Sequence, residues 1–251
     1  MTDHRPHLTD IRSALALLSR LPLNREATPA AGAVWAFPLA GALLGALMAL
    51  SASLALGLGL PPTLAALVAL VVAVLLTGAL HEDGLSDVAD GFGGGWTREK
   101  RLEIMRDSRI GSYGAVALGL SLIARWQALT LILDSGHHWA ALIATAALSR
   151  ATMPALMAAL PHARDDGLSR AVGRPKAGMA GLAAGLAALI ALAGLGAAGG
   201  LGACAVTVLI TLAVGALARS RIGGQTGDVL GAAQQLAEIA VLFAISVHIS
   251  V

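Results

Sequence analysis

The chain contains 251 residues, of which 57% are hydrophobic and only 13% are charged, and its formal net charge is +2. Soluble domains average about 25% charged residues, so this composition excludes an ordinary soluble domain and predicts several membrane spans. The single cysteine, Cys204, excludes a disulfide framework and a cysteine-based zinc site. We therefore expect the lipid bilayer as a partner, and no nucleic acid.

Residues 1–30 form an N-terminal arm that lacks the apolar core of a signal peptide. Within the arm, Leu8, Ile11, Leu15 and Leu18 recur at helical spacing. This pattern is typical of an amphipathic helix that lies along a membrane interface. A short soluble helix packed on neighbouring loops would show the same pattern, so both interpretations stay open.

Seven apolar segments follow, each close to the roughly 20 residues that a membrane-spanning helix needs. They are Val34–Leu56, Thr63–Leu80, Tyr113–Leu133, Trp139–Leu160, Ala177–Ala198, Leu201–Ala218 and Val229–Ser250. The sequence therefore predicts an all-α, polytopic helical membrane protein with about seven transmembrane helices. We expect residues 1–251 to form a single integral membrane domain.

The distribution of basic residues predicts which ends of these helices face the cytoplasm. With seven spans, all Lys and Arg residues except Arg125 and Arg150 fall on one side, and the opposite connections carry none. Cytoplasmic loops are enriched in Lys and Arg, so the N-terminus and the charged loops are predicted to be cytoplasmic. Arg150 lies inside a span, where a charge costs on the order of 3 kcal/mol, and it should pair inward. Arg125 has snorkelling as an alternative, and Glu238 is a candidate partner for either.

The second span leads into a charged segment, residues 81–112, which we interpret as a cytoplasmic catalytic loop. Asp83, Asp87 and Asp90 would project from a helix within an arc of about 60°. Like charges on one face repel, so we expect a hard cation such as Mg²⁺, which binds oxygen ligands together with substrate phosphates. A solvated acidic loop is the alternative. Gly91–Gly95 is expected to end the helix in a turn.

Candidate phosphate ligands follow this acidic segment. Arg106 and Arg109 are suited to this role because a guanidinium matches phosphate oxygens bidentately. The turn GGQTGDVLG at residues 223–231 opens the last span, and a glycine-rich turn before a helix can hold an anion. His81 is a candidate base or ligand, with a hydrogen-bonded interfacial histidine as the alternative. Three other basic residues are expected to form a solvated face or to contact lipid headgroups: Arg98, Lys100 and Arg101.

Together these motifs resemble the cobalamin synthase family, the adenosylcobinamide-GDP ribazoletransferases. The resemblance rests on HEDGLSDVADGFGGG at 81–95, RLEIMRDSRIGSYG at 101–114, SR at 149–150, LPHARDDGL at 160–168 and GGQTGDVLGA at 223–232, with LSRLPL at 18–23 and FPLAG at 37–41. It covers nearly the whole chain in the right order. Two departures, Glu82 in place of an apolar residue and His162 in place of Tyr, are given no role.

The resemblance implies an enzyme of the bacterial inner membrane that joins adenosylcobinamide-GDP to α-ribazole, or its 5′-phosphate, and releases GMP. It also implies dependence on Mg²⁺, bound by Asp83, Asp87 and Asp90. His81 and Asp107 join these as catalytic candidates. The candidate substrate ligands are Arg106, Ser108, Arg109, Arg150, Arg164, Gln225, Thr226 and Asp228. Assembly into a homo-oligomer is left open.

Two other functions compete with this interpretation. A CDP-alcohol phosphatidyltransferase also uses Asp-rich helices and Mg²⁺, but its pattern expects Asp-Gly-x-x-Ala-Arg, whereas here Asp87 follows Asp83 too soon and no such Ala-Arg is present. A transporter would show inverted repeats and acidic groups near the midplane. The sequence has no such repeat, and most acidic residues fall on one side.

Overall fold

The computed structural model of the protein describes residues 5–23 and 31–249. These residues form α-helices and a short 3-10 helix at Ala31–Ala36, with no strand among them, which confirms the all-α prediction. The helices are α1 (Leu8–Leu18), α2 (Phe37–Gly57), α3 (Pro62–Thr77), α4 (Leu80–Gly94), α5 (Arg98–Ile104), α6 (Ser112–Asp134), α7 (His138–Ala159), α8 (Leu168–Val172), α9 (Ala177–Ile222) and α10 (Gly227–Ile249).

The long apolar helices confirm a multi-pass membrane protein. Among the described residues, five helices are long and apolar enough to cross a membrane: α2 with the preceding 3-10 helix, α6, α7, α9 and α10. The number rises to six if α3 and α4, which meet at an 86° bend, are counted together. α9 is counted once here, although it contains both of the spans predicted between residues 177 and 218.

α9 reverses direction at Gly196, which has a non-helical backbone with a φ of 72°. A Cβ placed on Gly200 would lie only 2.8 Å from the Cα of Leu192. Eight residues of continuous helix would separate these positions by about 12 Å, so the chain must fold back between them. The element therefore consists of two apolar segments joined at Gly196, and together with the other helices it gives the seven segments predicted from the sequence.

The second predicted span does not continue straight into the acidic segment. α3 ends at Thr77, and Gly78 and Ala79 both adopt left-handed backbone conformations, with φ angles of 64° and 57°. Glycine tolerates this conformation, but alanine does so at a cost of roughly 1–2 kcal/mol. The resulting 86° bend turns α4 nearly perpendicular to α3. We therefore treat α4 as a helix outside the membrane-spanning segments, at the polar end of the bundle.

α7 and α10 are the most thoroughly buried of the long helices and form the centre of the bundle. α2 packs tightly on α7 through two glycines. A Cβ on Gly41 would collide with the carbonyl oxygen of Ala146, and one on Gly45 would lie 2.5 Å from that of Leu142. Small residues allow helix backbones to approach closely in membranes, where dispersion contacts hold helices together.

Within the N-terminal arm, α1 lies against the 3-10 helix and the start of α2. Its predicted apolar face is confirmed in part, since Leu15 and Leu18 are buried whereas Leu8 is exposed. Asp10 on the same helix is also buried, and its Oδ2 accepts a 2.8 Å hydrogen bond from the Trp35 indole. The remainder of the predicted arm, residues 1–4 and 24–30, lies outside the described residues.

Candidate functional site

Two aspartates of α4 lie beside the start of α10 because the two helices cross at glycines. A Cβ on Gly84 would lie 2.8 Å from the backbone oxygen of Asp228, and one on Gly231 would lie 3.4 Å from the Cα of Gly84. Any larger side chain at this crossing would push the helices apart. The crossing therefore brings Asp83 and Asp87 of α4 close to the carboxylate of Asp228.

Arg164, in the loop between α7 and α8, faces the same carboxylate. Its Nη2 lies 3.2 Å from Oδ2 of Asp228, and its Nε lies 3.4 Å from Oδ1 of Asp166. Thr226 donates a 3.2 Å hydrogen bond to the same Oδ2 of Asp228. The Arg164 side chain is largely buried, and its Nη1 has no hydrogen-bond partner within the described part of the chain. A guanidinium with free donors is suited to bind phosphate oxygens.

A cavity of about 120 Å³ opens next to these charged groups. One side carries Asp83, Asp228 and Arg164, and the rest of the wall is mainly apolar. His81 also lines the cavity, and its buried Nε2 has no partner among residues 5–23 and 31–249. Burial holds the pKa of His81 well below its ordinary value, so the ring is neutral and can donate or accept a hydrogen bond.

The negative charge at this site is incompletely balanced. Burial, followed by the carboxylates of Asp83 and Asp228, raises the pKa of Asp87 from 3.8 to about 7, although Arg164 acts in the opposite direction. The pKa of Asp87 stays raised although Arg164 lowers it, so the arginine does not offset the combined effect of burial and the neighbouring carboxylates. The cluster of Asp83, Asp87, Asp228 and Arg164 therefore favours a bound cation or proton.

The structure does not bring the predicted metal ligands Asp83, Asp87 and Asp90 together in one cluster, and their binding of a metal stays a prediction. Asp90 lies on the same helix, but its two oxygens accept hydrogen bonds from the backbone N–H groups of Gly111 and Gly114, at 2.7 and 2.9 Å. It therefore caps the start of α6, as carboxylates at helix N-termini do. Across the part of the chain that the structure describes, no three His, Cys, Asp or Glu side chains form a ready-made metal cluster.

The prediction of a turn at Gly91–Gly95 is also wrong, because α4 continues to Gly94. The glycines instead allow close packing: a Cβ on Gly93 would lie 2.7 Å from the Tyr113 ring, and one on Gly95 would lie 2.5 Å from the Arg101 side chain. After the helix, Thr97 accepts a hydrogen bond from the Lys100 N–H, as expected of the residue that caps α5.

Two arginines predicted to form a solvated face have structural partners. Arg98 donates to the carbonyl oxygens of Ile222 and Ala163, at 2.9 and 2.7 Å, and Arg101 donates to that of Arg221 at 3.0 Å. The last carbonyl groups of a helix lack intrahelical partners, and cationic side chains stabilise them. These arginines therefore fix the end of α9, just before the turn that carries the predicted anion site.

The predicted ligands between α5 and α6 lie on an exposed loop, away from the walls of the cavity. Arg109 pairs with Asp107 at 2.6 Å, and Arg106 pairs with Asp166 at 3.0 Å. Hydrogen bonds from Arg109 lower the pKa of Asp107 to about 2, so Asp107 is a carboxylate at neutral pH. Ser108 is exposed beside them. None of these four residues lines the cavity that contains Asp83, Arg164 and Asp228. The catalytic role of Asp107 and the substrate-binding roles of Arg106, Ser108 and Arg109 therefore stay predictions.

The turn before α10 is stabilised by Gln225 and Thr226, two of the predicted substrate ligands. Gln225 pairs through its backbone with Pro161 and Ala163, at 2.8 and 2.9 Å, and its side-chain oxygen accepts a 2.7 Å hydrogen bond from Ser169. Thr226 accepts from the Val229 N–H at the start of α10. Both predicted substrate ligands are buried and engaged in this scaffold, which positions Arg164 and Asp228 rather than presenting free groups.

Arg150, another predicted substrate ligand, belongs to a buried polar network below the cavity and does not line it. Glu238 lies 3.4 Å from both Arg125 and Arg150, and Arg125 lies 2.9 Å from Glu82. Gln234 donates a 2.6 Å hydrogen bond to Glu238. The predicted inward pairing of Arg150 is confirmed, and Arg125, for which snorkelling was the alternative, also pairs with Glu238. The two arginines and two glutamates balance in charge, as buried charges must.

Comparison with known proteins identifies the family. A sequence model of the cobalamin-5-phosphate synthase family matches residues 10–246. The chain belongs to this family. Curated relatives include proteins of Mesorhizobium japonicum, 47% identical over 98% of this chain and 96% of the relative, and of Bradyrhizobium diazoefficiens, 45% identical over 94% and 92%. No solved structure matches the chain.

These members of the cobalamin-5-phosphate synthase family share one name. The Mesorhizobium and Bradyrhizobium proteins, and a relative from Azorhizobium caulinodans that is 47% identical over 98% of each chain, are called adenosylcobinamide-GDP ribazoletransferase. The matches extend over nearly the full length of both chains, so they include the acidic helix, the Arg164 loop and the turn before α10.

Sequence analysis gave Glu82 no role, yet in this member of the family it is the ion-pair partner of Arg125. The sequence did indicate that such a partner exists, because an arginine inside a membrane span requires a buried carboxylate. Glu238 was a candidate partner for either arginine, but a single glutamate cannot balance the charge of both, and no second carboxylate was assigned. The two arginines together required two negative charges, and Glu82 supplies the second.

Proposed function

We propose that the protein transfers the phosphorylated cobinamide group of adenosylcobinamide-GDP to a hydroxyl group of α-ribazole, or of its 5′-phosphate. The hydroxyl oxygen forms the new bond to the cobinamide-bearing phosphorus, the diphosphate bond breaks, and GMP leaves. The product is adenosylcobalamin or its 5′-phosphate. The names of the relatives support this reaction, which belongs to the last steps of vitamin B12 formation.

The observation that carries the proposal is the meeting of Arg164, Asp228 and Asp83 at one cavity. A diphosphate ester presents several negative oxygens, and Arg164, which lines this space, carries a buried donor with no partner among the described residues. Arg164 holds and orients the diphosphate, which places the reacting phosphorus beside the acceptor. An arginine is suited to this role because its planar fork matches two oxygens at once.

We further propose that Mg²⁺ binds at Asp83 and Asp87, with Asp228 as a third ligand, together with phosphate oxygens of the substrate, since the side chains of the described residues alone form no metal cluster. Burial, followed by repulsion from Asp83 and Asp228, raises the pKa of Asp87 to about 7, and this supports the fit because a bound cation would favour the charged carboxylate. These residues would hold Mg²⁺, which would supply positive charge to offset that of the diphosphate and of the departing GMP. Asp90 is left out of this set because the α6 backbone occupies both of its oxygens.

The acceptor hydroxyl must lose a proton as its oxygen bonds to phosphorus. His81 and the aspartates are the titratable side chains that line or adjoin the cavity. We propose that one of them accepts this proton, as general bases do within hydrogen-bonding distance of a substrate hydroxyl.

We propose that the site faces the cytoplasm at the inner membrane. The charged loops, α1, α5 and α8 gather at the end of the bundle where the cavity opens, and Lys and Arg enrichment marks the cytoplasmic side. Nucleotide substrates are then available on that side, while the product forms at the membrane surface. Accessibility of a cysteine introduced at exposed Lys100, measured with an impermeant reagent on intact cells, tests this orientation.

The reaction is tested by incubating purified protein with adenosylcobinamide-GDP, α-ribazole and Mg²⁺. GMP and adenosylcobalamin should form in equal amounts, and chelation of Mg²⁺ or the substitution Asp83→Ala should abolish both products. Turnover of CDP-diacylglycerol in place of this reaction would support a phosphatidyltransferase. Movement of substrate across a sealed vesicle without bond cleavage would support a transporter. Either result would overturn the proposal.

A further inference from the structure

We infer that the apolar part of the cavity is the subsite for the bicyclic aromatic base of the acceptor nucleoside, the benzimidazole of ribazole, and that His81 hydrogen-bonds the ring nitrogen of this base. The inference rests on the proposed function and adds to it where one substrate lies and which residues select it. It involves residues from α1, α2, α4, α7 and α8, most of which the sequence did not mark as functional.

The chemistry of the wall distinguishes between the ring systems of the two substrates. Away from the charged side, the cavity is bounded by apolar side chains that include Phe37, Met153, Met157 and Val172. Guanine carries donors and acceptors around its edge, and those that faced the apolar wall would be buried without partners, which is costly. A corrin ring is much larger than the space available. A dimethylbenzimidazole has apolar faces and edges and therefore matches this wall.

His81 supplies the one polar contact that such a base requires. The residue is only 2% exposed, it lines the cavity, and its buried Nε2 has no hydrogen-bond partner in the described ranges. An unsatisfied buried polar atom costs free energy unless a ligand or water completes its hydrogen bonding. The benzimidazole of ribazole has a single free ring nitrogen, which accepts one hydrogen bond. The N–H of His81 can therefore donate a hydrogen bond to the free ring nitrogen of the benzimidazole, which gives both groups a partner.

The position of this subsite agrees with the proposed transfer. Asp83, Asp228 and Arg164 form the charged side of the same cavity. A nucleoside whose base lies against the apolar wall can place its ribose beside these groups, because the wall and the charged side bound the same small cavity. The ribose hydroxyl therefore lies near the place proposed for the diphosphate. This arrangement orients the acceptor before bond formation.

The subsite is tested by equilibrium binding of α-ribazole and, separately, of adenosylcobinamide-GDP to the full-length protein in detergent. Val172→Phe fills the apolar wall and should weaken ribazole binding about tenfold or more, since hydrophobic pockets discriminate steric changes on this scale. Binding of adenosylcobinamide-GDP should be unchanged. Leu168→Phe, at the half-exposed rim of the cavity, repeats the test with little demand on the core. Val208→Phe, at an exposed position of α9, is the matched control.

The role of His81 is tested with an analogue of ribazole in which indole replaces benzimidazole, so that a C–H group takes the place of the free ring nitrogen. The wild-type protein should bind this analogue about tenfold more weakly, the effect of one lost buried hydrogen bond. His81→Phe should bind ribazole and the analogue equally. This comparison separates the hydrogen bond from a general effect of the substitution on structure.

Three results would overturn the inference: equal weakening by Val172→Phe and Val208→Phe, weakening of adenosylcobinamide-GDP binding alone, or discrimination between the two nucleosides that survives in His81→Phe. The same experiments distinguish a failure of the proposed reaction from a failure of the subsite. If ribazole binds with the expected pattern but no GMP is released, the subsite stands and the reaction is wrong. If GMP is released and the wall substitutions leave ribazole binding unchanged, the subsite alone is wrong.

Discussion

The guanidinium of Arg125 lies 2.9 Å from the carboxylate of Glu82, and both side chains are buried. This ion pair joins α6 to α4 one residue before Asp83. Glu238 adds a second contact to Arg125 from α10, at 3.4 Å. The position of the acidic helix thus depends on buried charges within the bundle as well as on packing.

Removal of one member of this pair should destabilise the protein strongly. Arg125→Leu leaves Glu82 buried and incompletely paired, and we expect a loss of about 3–5 kcal/mol in the free energy of unfolding. Denaturant unfolding in detergent micelles measures this loss. Lys100→Gln, which breaks the exposed pair with Glu103, is the control and should cost less than about 1 kcal/mol. Similar losses in the two variants would contradict the buried-pair account.

Asp90 should behave as a helix cap. Asp90→Ala removes the acceptors for the Gly111 and Gly114 N–H groups, and we expect a loss of about 1–2 kcal/mol in unfolding free energy. Asp90→Asn keeps one acceptor oxygen and should lose less. The Mg²⁺ concentration that gives half-maximal activity should not change in Asp90→Asn. A large increase in that concentration would restore Asp90 to the metal ligands.

The pKa of Asp87 predicts how Mg²⁺ affects stability at different pH values. In the metal-free folded protein this pKa is about 7, above the value of 3.8 expected when the chain is unfolded. The folded state therefore binds the proton more tightly, and the stability that this provides is complete below pH 3.8 and lost as pH rises through about 7. Mg²⁺ competes with the same proton. Stabilisation by Mg²⁺ should increase between about pH 5 and pH 8.

The unfolding temperature, measured with and without Mg²⁺ across this pH range, tests the expectation. Asp87→Asn cannot titrate, so the effect of Mg²⁺ on its unfolding temperature should depend much less on pH. Asp107 is a useful comparison, because its exposed pair with Arg109 should contribute no pH dependence in this range. A wild-type protein that Mg²⁺ stabilises equally at both ends of the range would disprove the assignment of Asp87.

Arg164 should be required for the diphosphate substrate. Arg164→Gln removes charged donors, and we expect the KM for adenosylcobinamide-GDP to rise by about tenfold to a hundredfold, the effect of one lost charge-assisted hydrogen bond. The KM for α-ribazole should change little. Arg170→Gln removes an exposed arginine from α8 nearby and is the control. Equal effects of the two substitutions would indicate a general effect of positive charge.

Sequence patterns predicted the helices well because membrane insertion imposes strict rules on composition. The apolar segments and the inward pairing of Arg150 follow from the cost of exposing polar groups to lipid. The two segments of α9 also follow from the sequence, although the reversal at Gly196 depends on a backbone angle that no pattern of hydrophobicity encodes.

The side-chain partners at the site were harder to predict. Helical spacing placed Asp90 in line with Asp83 and Asp87, but it carried no information about the N-terminus of α6, which lies more than twenty residues further along the chain. The same is true of Gln225 and Thr226, whose partners come from the Pro161–Ala163 segment and the start of α10. Such contacts arise from tertiary packing, which local spacing does not determine.

Binding of Mn²⁺ in place of Mg²⁺, measured by electron paramagnetic resonance on the full-length protein, tests the proposed metal site most directly. We expect one bound ion whose signal is lost in Asp83→Asn, in Asp87→Asn and in Asp228→Asn, and is retained in Asp90→Asn. Retention of the signal in the first three variants, or its loss only in Asp90→Asn, would show that Mg²⁺ does not bind at Asp83, Asp87 and Asp228.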